Sequence, residues 1–504
     1  MKEKKCVIIG SGLAGLSIGV VLSRSGYNVI VLEQSRQMGG CLQCFYRGNA
    51  KFETGMHIVG SLDDGQVLSH YFNFLDIKDK VQLSRLDTQA YDVVRLRGES
   101  FSFPNGSQAM IEHFSSRFPK EKDNLVHYWQ LVDNIAKATP FYTLDGERKN
   151  SNLLVDLSTH SINDVLDSIF RDTLLKEVLM GNISLYTAQR DRTPFSTHAF
   201  VNNLYNKSTF RIIGGSDNLS KALYNQIANH GGIVSVNSHV SQLLCKDGKV
   251  NAAVLANGDV VTGDLFVSTI HPSLMTDLFI HNELKPAYIK RLRSIPNTKS
   301  FFTVYLQFRP NTVPYRNSNH YVYNNANPWN FDNYYDDTWP RGYYYMHCCH
   351  TIAPRYAATG IIFAPMSVSE LAQWIDTCVG RRGLAYENFK RAKAEKLLTT
   401  VERDFPELAS GIEHYYTATP LTYRDYTLTP EGSFYGMAKD LSMGVGGRVS
   451  YRTKIPNFFL AGQSIKAHGI LGVLAGTIDV CAAILGEDEI KRVMLERNNF
   501  SSSI

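Results

Sequence analysis

The segment 5–33 constrains this chain of 504 residues more than any other. The apolar run Cys6-Val7-Ile8-Ile9 enters the turn Gly10-Ser11-Gly12-Leu13-Ala14-Gly15. After a helix-compatible stretch comes Asn28-Val29-Ile30-Val31-Leu32, closed by Glu33. Strand, glycine turn, helix, strand and acid in this order predict a β-α-β nucleotide-binding unit. Gly10 permits the tight turn, and Gly12 lets the backbone approach a pyrophosphate. Gly15 lets the helix pack closely on the strand, and the helix N-terminus faces the phosphates. Glu33 suits ribose hydroxyls. The pattern implies a dinucleotide and leaves its identity open.

A chain this long exceeds one ordinary hydrophobic core, so two or more domains are expected. A hydrophobic content of 44% with 20% charged residues is that of a globular protein. The net charge of +5, with both signs interspersed, is compatible with an anionic cofactor or a membrane surface and is no nucleic-acid footprint. Eight cysteines without paired CxxC units make neither a disulfide scaffold nor a zinc pattern. Free thiols in a reducing, cytoplasmic compartment are expected. The start Met1-Lys2-Glu3-Lys4-Lys5 leads straight into the first strand, with no targeting signal read there. The apolar run 470–486 contains Asp479 and three glycines and is too short to span a bilayer. It reads as a buried helix, which leaves peripheral membrane contact, on the inner face, as the membrane option.

Along the chain, 65–205 reads as mainly helical, with a polar stretch over 120–148 and helical apolar spacing over 163–182. Ser216 or Asp217 is an expected N-cap. Strands are expected at 233–237, 240–245, 250–255, 259–262 and 264–269, with hairpin turns at Asp247-Gly248 and Asn257-Gly258. Eleven aromatic residues fall within 315–345. They are read either as the lining of an apolar tunnel or as sheet packing. The end, Asn457-Phe458-Phe459-Leu460-Ala461-Gly462, returns to nucleotide-domain character. Gly39-Gly40 and the segment Gly462 to Gly472 are second and third cofactor signals. A simple nicotinamide dehydrogenase does not need the distant C-terminal element, whereas an extended flavin dinucleotide does.

These motifs, with Met38-Gly39-Gly40-Cys41 and Phe459-Leu460-Ala461-Gly462-Gln463, resemble FAD-dependent oxidoreductases of the phytoene desaturase and carotenoid isomerase superfamily. Lys51-Phe52-Glu53-Thr54-Gly55-Met56-His57-Ile58-Val59-Gly60 is similar to the FDxGxHxxG segment of its retinol saturase branch. Ser196-Thr197-His198-Ala199-Phe200, Gly214-Gly215-Ser216, Thr419 to Tyr426 and Gly432 to Gly436 support that branch. Two departures are Glu53 in place of Asp, and Ala467-His468-Gly469 where a Pro-Gly pair is common.

The resemblance implies an α/β protein with a discontinuous Rossmann-type FAD domain of the glutathione-reductase and amine-oxidase kind, and an inserted α+β substrate domain. The FAD domain takes 1–65, 206–285 and 446–504. The substrate domain takes 66–205, its helical part, and 286–445. Implied cofactor residues are Gly10, Gly12, Leu13, Ala14, Gly15, Glu33, Gln34, Gly39, Gly40, Val240, Gly462, Gln463, Gly469 and Ile470, with Val240 as a backbone contact to adenine. The implied activity is saturation, desaturation or isomerisation of a hydrophobic polyene by hydride transfer at the flavin N5. The electron partner is a quinone, oxygen or a protein. A flavin amine oxidase and a non-catalytic lipid-binding protein of the GDI kind are the alternatives. The first expects an active-site lysine and an aromatic cage; neither is placed in the sequence, and Lys299, after the domain return, is the lysine left open.

Such chemistry requires a proton donor or acceptor near the ring. His57 is the first candidate, because its pKa suits transfer near neutrality. Tyr426 and Arg424 are candidates for positioning. Each has a structural alternative in packing or hydrogen bonding. Cys41 and Cys44 are read as a redox pair or as packed thiols. The run His347-Cys348-Cys349-His350 is expected on a strand, where alternation keeps four ligands from converging, so no metal is expected. The apolar stripe over 165–180 faces either a membrane or the core.

Overall fold

Five parallel strands from three remote parts of the chain make the nucleotide-side sheet. Their order is Ile233–Ser235, Asn28–Leu32, Lys5–Ile9, Leu265–Ser268 and Phe458–Leu460. The computed structural model describes residues 4–139, 157–281, 283–324, 326–443 and 448–498. A parallel sheet covered on both faces requires continuously apolar strands, and Cys6, Val7, Ile8 and Ile9 are all buried. The helix Leu13–Arg24 packs on both Asp217–Asn229 and Gly469–Leu485. Ile470, Leu471, Leu474 and Val480 are buried there, so the apolar 470–486 run forms a core helix. Among the described residues no helix is long and apolar enough to cross a membrane.

A three-stranded meander, Val240–Lys246, Lys249–Leu255 and Val260–Thr262, follows with turns where the dipeptides predict them. Asp247 and Gly248 both adopt left-handed backbone, at φ +53° and +73°, as a two-residue hairpin turn demands.

The second large sheet has seven strands, in the order Ile412–Ala418, Ser300–Phe308, Thr359–Met366, Gly342–His347, Asn319–Tyr323, Asp92–Leu96 and Glu99–Phe103. Successive side chains go to opposite faces. Tyr321, Tyr323, Tyr344 and Phe363 join the cluster built on Trp129 and Phe195, whereas Val322, Tyr343 and Tyr345 join the one built on Trp339 and Leu397. The aromatic run 315–345 is therefore largely sheet packing, with one face turned toward the site described below.

Three local expectations change. The stretch 66–205 is not only helical: Asp92–Leu96 and Glu99–Phe103 form a hairpin that completes the large sheet. The spacing over 163–182 yields two helices, Ile162–Ile169 and Thr173–Leu179, because Asp172 caps the second through its side chain. Val165, Leu166, Leu175, Val178 and Met180 are buried, so this stripe faces the core. Over 120–148, the helix Lys122–Lys137 buries Leu125, Trp129, Val132 and Ile135, and 140–148 lie outside the described residues. Ser216 occupies the N-cap position but makes no capping hydrogen bond, since its hydroxyl faces Cys44 Sγ at 3.5 Å.

A Cβ at Gly15 would stand 2.0 Å from Gly10 O, whereas one at Gly12 meets nothing within 4 Å. Gly12 has φ −64°, open to any residue. Gly15→Ala is therefore expected to cost roughly 2–3 kcal/mol of stability by overpacking. Gly12→Ala is expected to stay within about 0.5 kcal/mol of the parent protein. Urea unfolding of the two cofactor-free variants checks the contrast.

Candidate active site

The cradle for a dinucleotide forms where the first strand ends. Gly10, at φ +97°, donates its N–H to Leu32 O at 2.8 Å. Gly12 caps the helix Leu13–Arg24 without a side-chain bond, and the Leu16 N–H is the first to bond within the helix, to Gly12 O, which leaves the N–H groups of Leu13, Ala14 and Gly15 without an intrahelical acceptor. Gly40 packs on Gly12, where a Cβ would lie 3.1 Å from Gly12 Cα, and the Gly39 N–H reaches Ser11 Oγ at 3.2 Å. The buried Glu33 carboxylate accepts from Ser11 N at 3.0 Å, Ser11 Oγ at 2.6 Å and Ser35 N at 2.8 Å. A carboxylate offers about four lone-pair positions, so capacity remains for a ribose hydroxyl.

The middle block reaches the same acid. Ser238 N donates to Glu33 O at 2.7 Å, and His239 Nδ1 meets Gln34 Oε1 at 3.0 Å, which sets Val240 beside the end of this strand. The C-terminal return completes the cradle. Gly462, at φ +105°, and Gly469, at φ +73°, shape the loop that leads into the helix Gly469–Leu485, with Gln463 packed under Gly436 and Ile470 in the first turn. His468 caps that helix without a side-chain bond. Two uncapped helix N-termini and glycines open to the cleft match an extended dinucleotide with anionic and carbonyl-rich parts.

His57 lies beyond the cradle, on a strap that the main chain ties down. The fully buried Arg211 donates to His57 O at 3.2 Å, to Ser318 O at 3.3 Å and to Asn319 Oδ1 at 2.9 Å. Neither ring nitrogen of His57 has a hydrogen-bond partner, and Nδ1 faces Glu53 Oε2 at 3.6 Å. The ring lies 5.0 Å from Phe363. Phe363 meets Phe434 at 5.6 Å, and Phe434 meets Tyr423 and Phe301 at 4.7 Å each. Tyr435 packs on His468 at 4.8 Å. This aromatic cluster, an enclosure defined only by its ring contacts with His57 and His468, joins the C-terminal cofactor loop to the large sheet.

Cys41 is accessible to solvent, yet burial pushes its thiol up, and its charge reaches Tyr423 and Tyr435. The Cys41 side chain lies beside Gly55, where an added Cβ would come within 3.0 Å of the Cys41 Cβ. Cys44 turns away to Ser216, and burial followed by the Glu53 charge pushes it up to about 12. The two thiols face different surroundings, and both are free.

Other expected groups fall elsewhere. Tyr426 is 59% exposed, and Arg424 donates to Ile375 O at 2.5 Å and Thr377 O at 3.0 Å. Their helix, Pro420–Thr427, buries Pro420 and Leu421 in its first turn and runs outward after that. Tyr423 is the residue of this helix that enters the enclosure, through Thr303 Oγ1 at 2.5 Å and Phe434. Lys299 is ion-paired with Asp332. In the 347–350 run, His347 bonds Tyr345 and the Arg316 N–H, and His350 bonds Thr359. Two clefts, of about 1110 Å³ beside Arg95, Arg341 and Arg403 and about 530 Å³ beside Lys80 and Lys221, contain no residue of the cradle or of the His57 strap.

Lys439 gave no signal in the sequence, since no motif or spacing surrounds it. It donates to Ser464 O at 2.7 Å in the cofactor loop, and among the described residues it forms no ion pair. Burial, and then Arg448, pushes it down to about 7. Its charge in turn contributes, after burial, to holding His271 and His468 at about 4. Between pH 7 and the ordinary lysine value, the unfolded chain binds a proton that the folded chain does not, so stability rises with pH across that window. Lys439→Met is expected to flatten this rise. The check is the urea midpoint of variant and parent, both cofactor-free, at pH 7 and pH 10.

Comparison with known proteins bears on the family and the fold. Residues 13–485 match the family of flavin containing amine oxidoreductases. The human all-trans-retinol 13,14-reductase is 24% identical, over 95% of this chain and 85% of its own length. Prolycopene isomerase 2 of an Oncidium hybrid cultivar is 22% identical, over 97% of this chain and 84% of its own. The structure of a putrescine oxidase variant superposes with a TM-score of 0.63 at 14% identity, covering 98% of this chain and 99% of that one. With FAD as its cofactor and the two-part architecture of these enzymes, the chain belongs to the family of flavin containing amine oxidoreductases.

Proposed function

We propose that this FAD-dependent oxidoreductase acts on the carbon–carbon bonds of a hydrophobic polyene, with 1–65, 206–285 and 446–504 holding the cofactor and the remainder the substrate. The observation that carries this reading is the run of ring contacts from His57 through Phe363 to Phe434, Tyr423 and Phe301, with Tyr435 packed between Phe434 and His468 of the cofactor loop. Aromatic side chains of this kind bind an extended apolar molecule through their area and π-faces. The names of the retinol reductase and prolycopene isomerase relatives point to the same substrate class. Amine oxidation is less well supported, since the candidate Lys299 is held by Asp332.

FAD supplies hydride exchange when bound. The chain's own residues orient the polyene and move the proton. Arg211 fixes the backbone of His57, and Glu53 Oε2 lies 3.6 Å from its Nδ1. Nε2 is left as the proton-carrying atom. Phe363 and Phe434 exclude water from the reacting carbons. Peripheral membrane contact is part of the same proposal. It is supported by Ile375, Val379, Leu384 and Tyr426, all exposed and gathered where Arg424 grips Ile375 O and Thr377 O.

The test is anaerobic photoreduction of the flavin, followed by reoxidation with polyenes or amines. Reoxidation by a polyene alcohol or a carotenoid, and not by amines, is expected. Reoxidation by amines alone rejects the reading. His57→Gln is expected to retain flavin absorbance while slowing polyene turnover by about 10²-fold or more, the usual contribution of a positioned acid or base.

A further inference from the structure

We infer that the cleft of about 1110 Å³ beside Arg95, Arg341 and Arg403 is a binding site for a nucleoside polyphosphate, separate from the cofactor cradle. The inference does not rest on the polyene reading, because the cleft shares no residue with the cradle or the His57 strap.

Remote parts of the chain converge on this cleft. Arg95 comes from the strand Asp92–Leu96, and Arg97 from the turn that follows, where it has φ +55°. Arg341 precedes the strand Gly342–His347, and Arg403 and Asp404 end the helix Gly383–Asp404. Glu177 is supplied by the helix Thr173–Leu179. The lining thus sets four guanidiniums against two carboxylates.

Both carboxylates are engaged within the wall. Asp404 accepts from Arg95 Nη1 at 2.6 Å and from Tyr343 OH at 2.5 Å. Glu177 accepts from Arg97 Nη2 at 2.6 Å and from Asn327 Nδ2 at 3.3 Å. These pairs orient two guanidiniums, and each keeps donors for a further acceptor, since a guanidinium has five N–H groups. Arg341 donates to Asn333 O at 2.7 Å. Arg403 is exposed and, among the described residues, forms neither an ion pair nor a hydrogen bond. Asp336, next to Tyr335 in the chain, is taken by Lys393 at 2.7 Å. The lining therefore carries net positive charge, in the form of the planar donors that match phosphate oxygens.

The cleft is of small-molecule size, far larger than a single inorganic anion fills. The rest of its lining suits a nucleoside. Tyr335 is 80% exposed, so its ring is open to stack on a base. The side-chain amides of Asn324 and Asn333 form no hydrogen bond among the described residues. Each offers donors and an acceptor to ribose hydroxyls or a base edge. A nucleoside polyphosphate meets the charge, the volume and the aromatic face together.

The experiment is equilibrium dialysis of labelled ATP, with EDTA present, against the FAD-loaded protein, whose cradle is already filled. ATP is expected to bind at one site with a Kd of about 100 µM or tighter. Inorganic pyrophosphate and adenosine are each expected to bind about tenfold or more weakly than ATP. Arg403→Met is expected to weaken ATP about tenfold or more. Tyr335→Ala is expected to weaken ATP about fivefold or more and to leave pyrophosphate within about twofold of the parent. Both side chains are exposed, and flavin absorbance per chain equal to that of the parent shows that each variant has folded. No ATP binding below about 1 mM overturns the site. So does an ATP affinity unchanged in either variant, or pyrophosphate binding as tightly as ATP.

Discussion

The approach of the first helix to the first strand is the contact on which the cofactor half depends. With Gly15 against Gly10 O, the helix Leu13–Arg24 lies close on the sheet and brings its N-terminus to the strand ends. The uncapped N–H groups then face the same cleft as the Glu33 carboxylate and the Gly39-Gly40 loop. A larger residue at 15 lifts the helix, and the partial positive charge of its N-terminus leaves the place where phosphates must sit. The second uncapped helix, Gly469–Leu485, packs against the first and so inherits its position.

The substrate half is joined to this cradle through buried polar groups as well as apolar packing. Arg211 ties the His57 strap to Ser318 and Asn319 of the large sheet, and Asn319 passes the connection to Asp92. A buried guanidinium is costly unless its donors are met. The carbonyls of His57 and Ser318 and the Asn319 amide oxygen meet its two terminal nitrogens, while Nε has no partner, and the directional demands of that network hold the strap in register with the aromatic row.

Much of the fold was legible because its signals are local. The turn Gly10 to Gly15, the hairpin dipeptides and the apolar 470–486 helix each carry their structure in consecutive residues. His57 was legible through the segment around it. Tyr423 was missed in favour of Tyr426 and Arg424, although all three lie on one short helix. Which end of that helix enters the interior is decided by how Pro420 and Leu421 dock, which no spacing records. The hairpin formed by Asp92–Leu96 and Glu99–Phe103 was missed for a similar reason. Its strand partner, Asn319–Tyr323, is more than two hundred residues away.

The sequence alone determined the first strand-turn-helix, because its tightest contact, Gly15 against Gly10 O, lies within five residues. It also determined that the cofactor half is discontinuous, since the third glycine segment repeats that chemistry near the end of the chain. Tertiary structure decided what surrounds the reacting centre. Lys439 beside Ser464, Asp92 beside Asn319, and the ring row from Phe434 to Tyr321 are contacts between segments remote in the chain. Burial gives these residues their chemistry, and it exists only once the sheets and helices have closed around them.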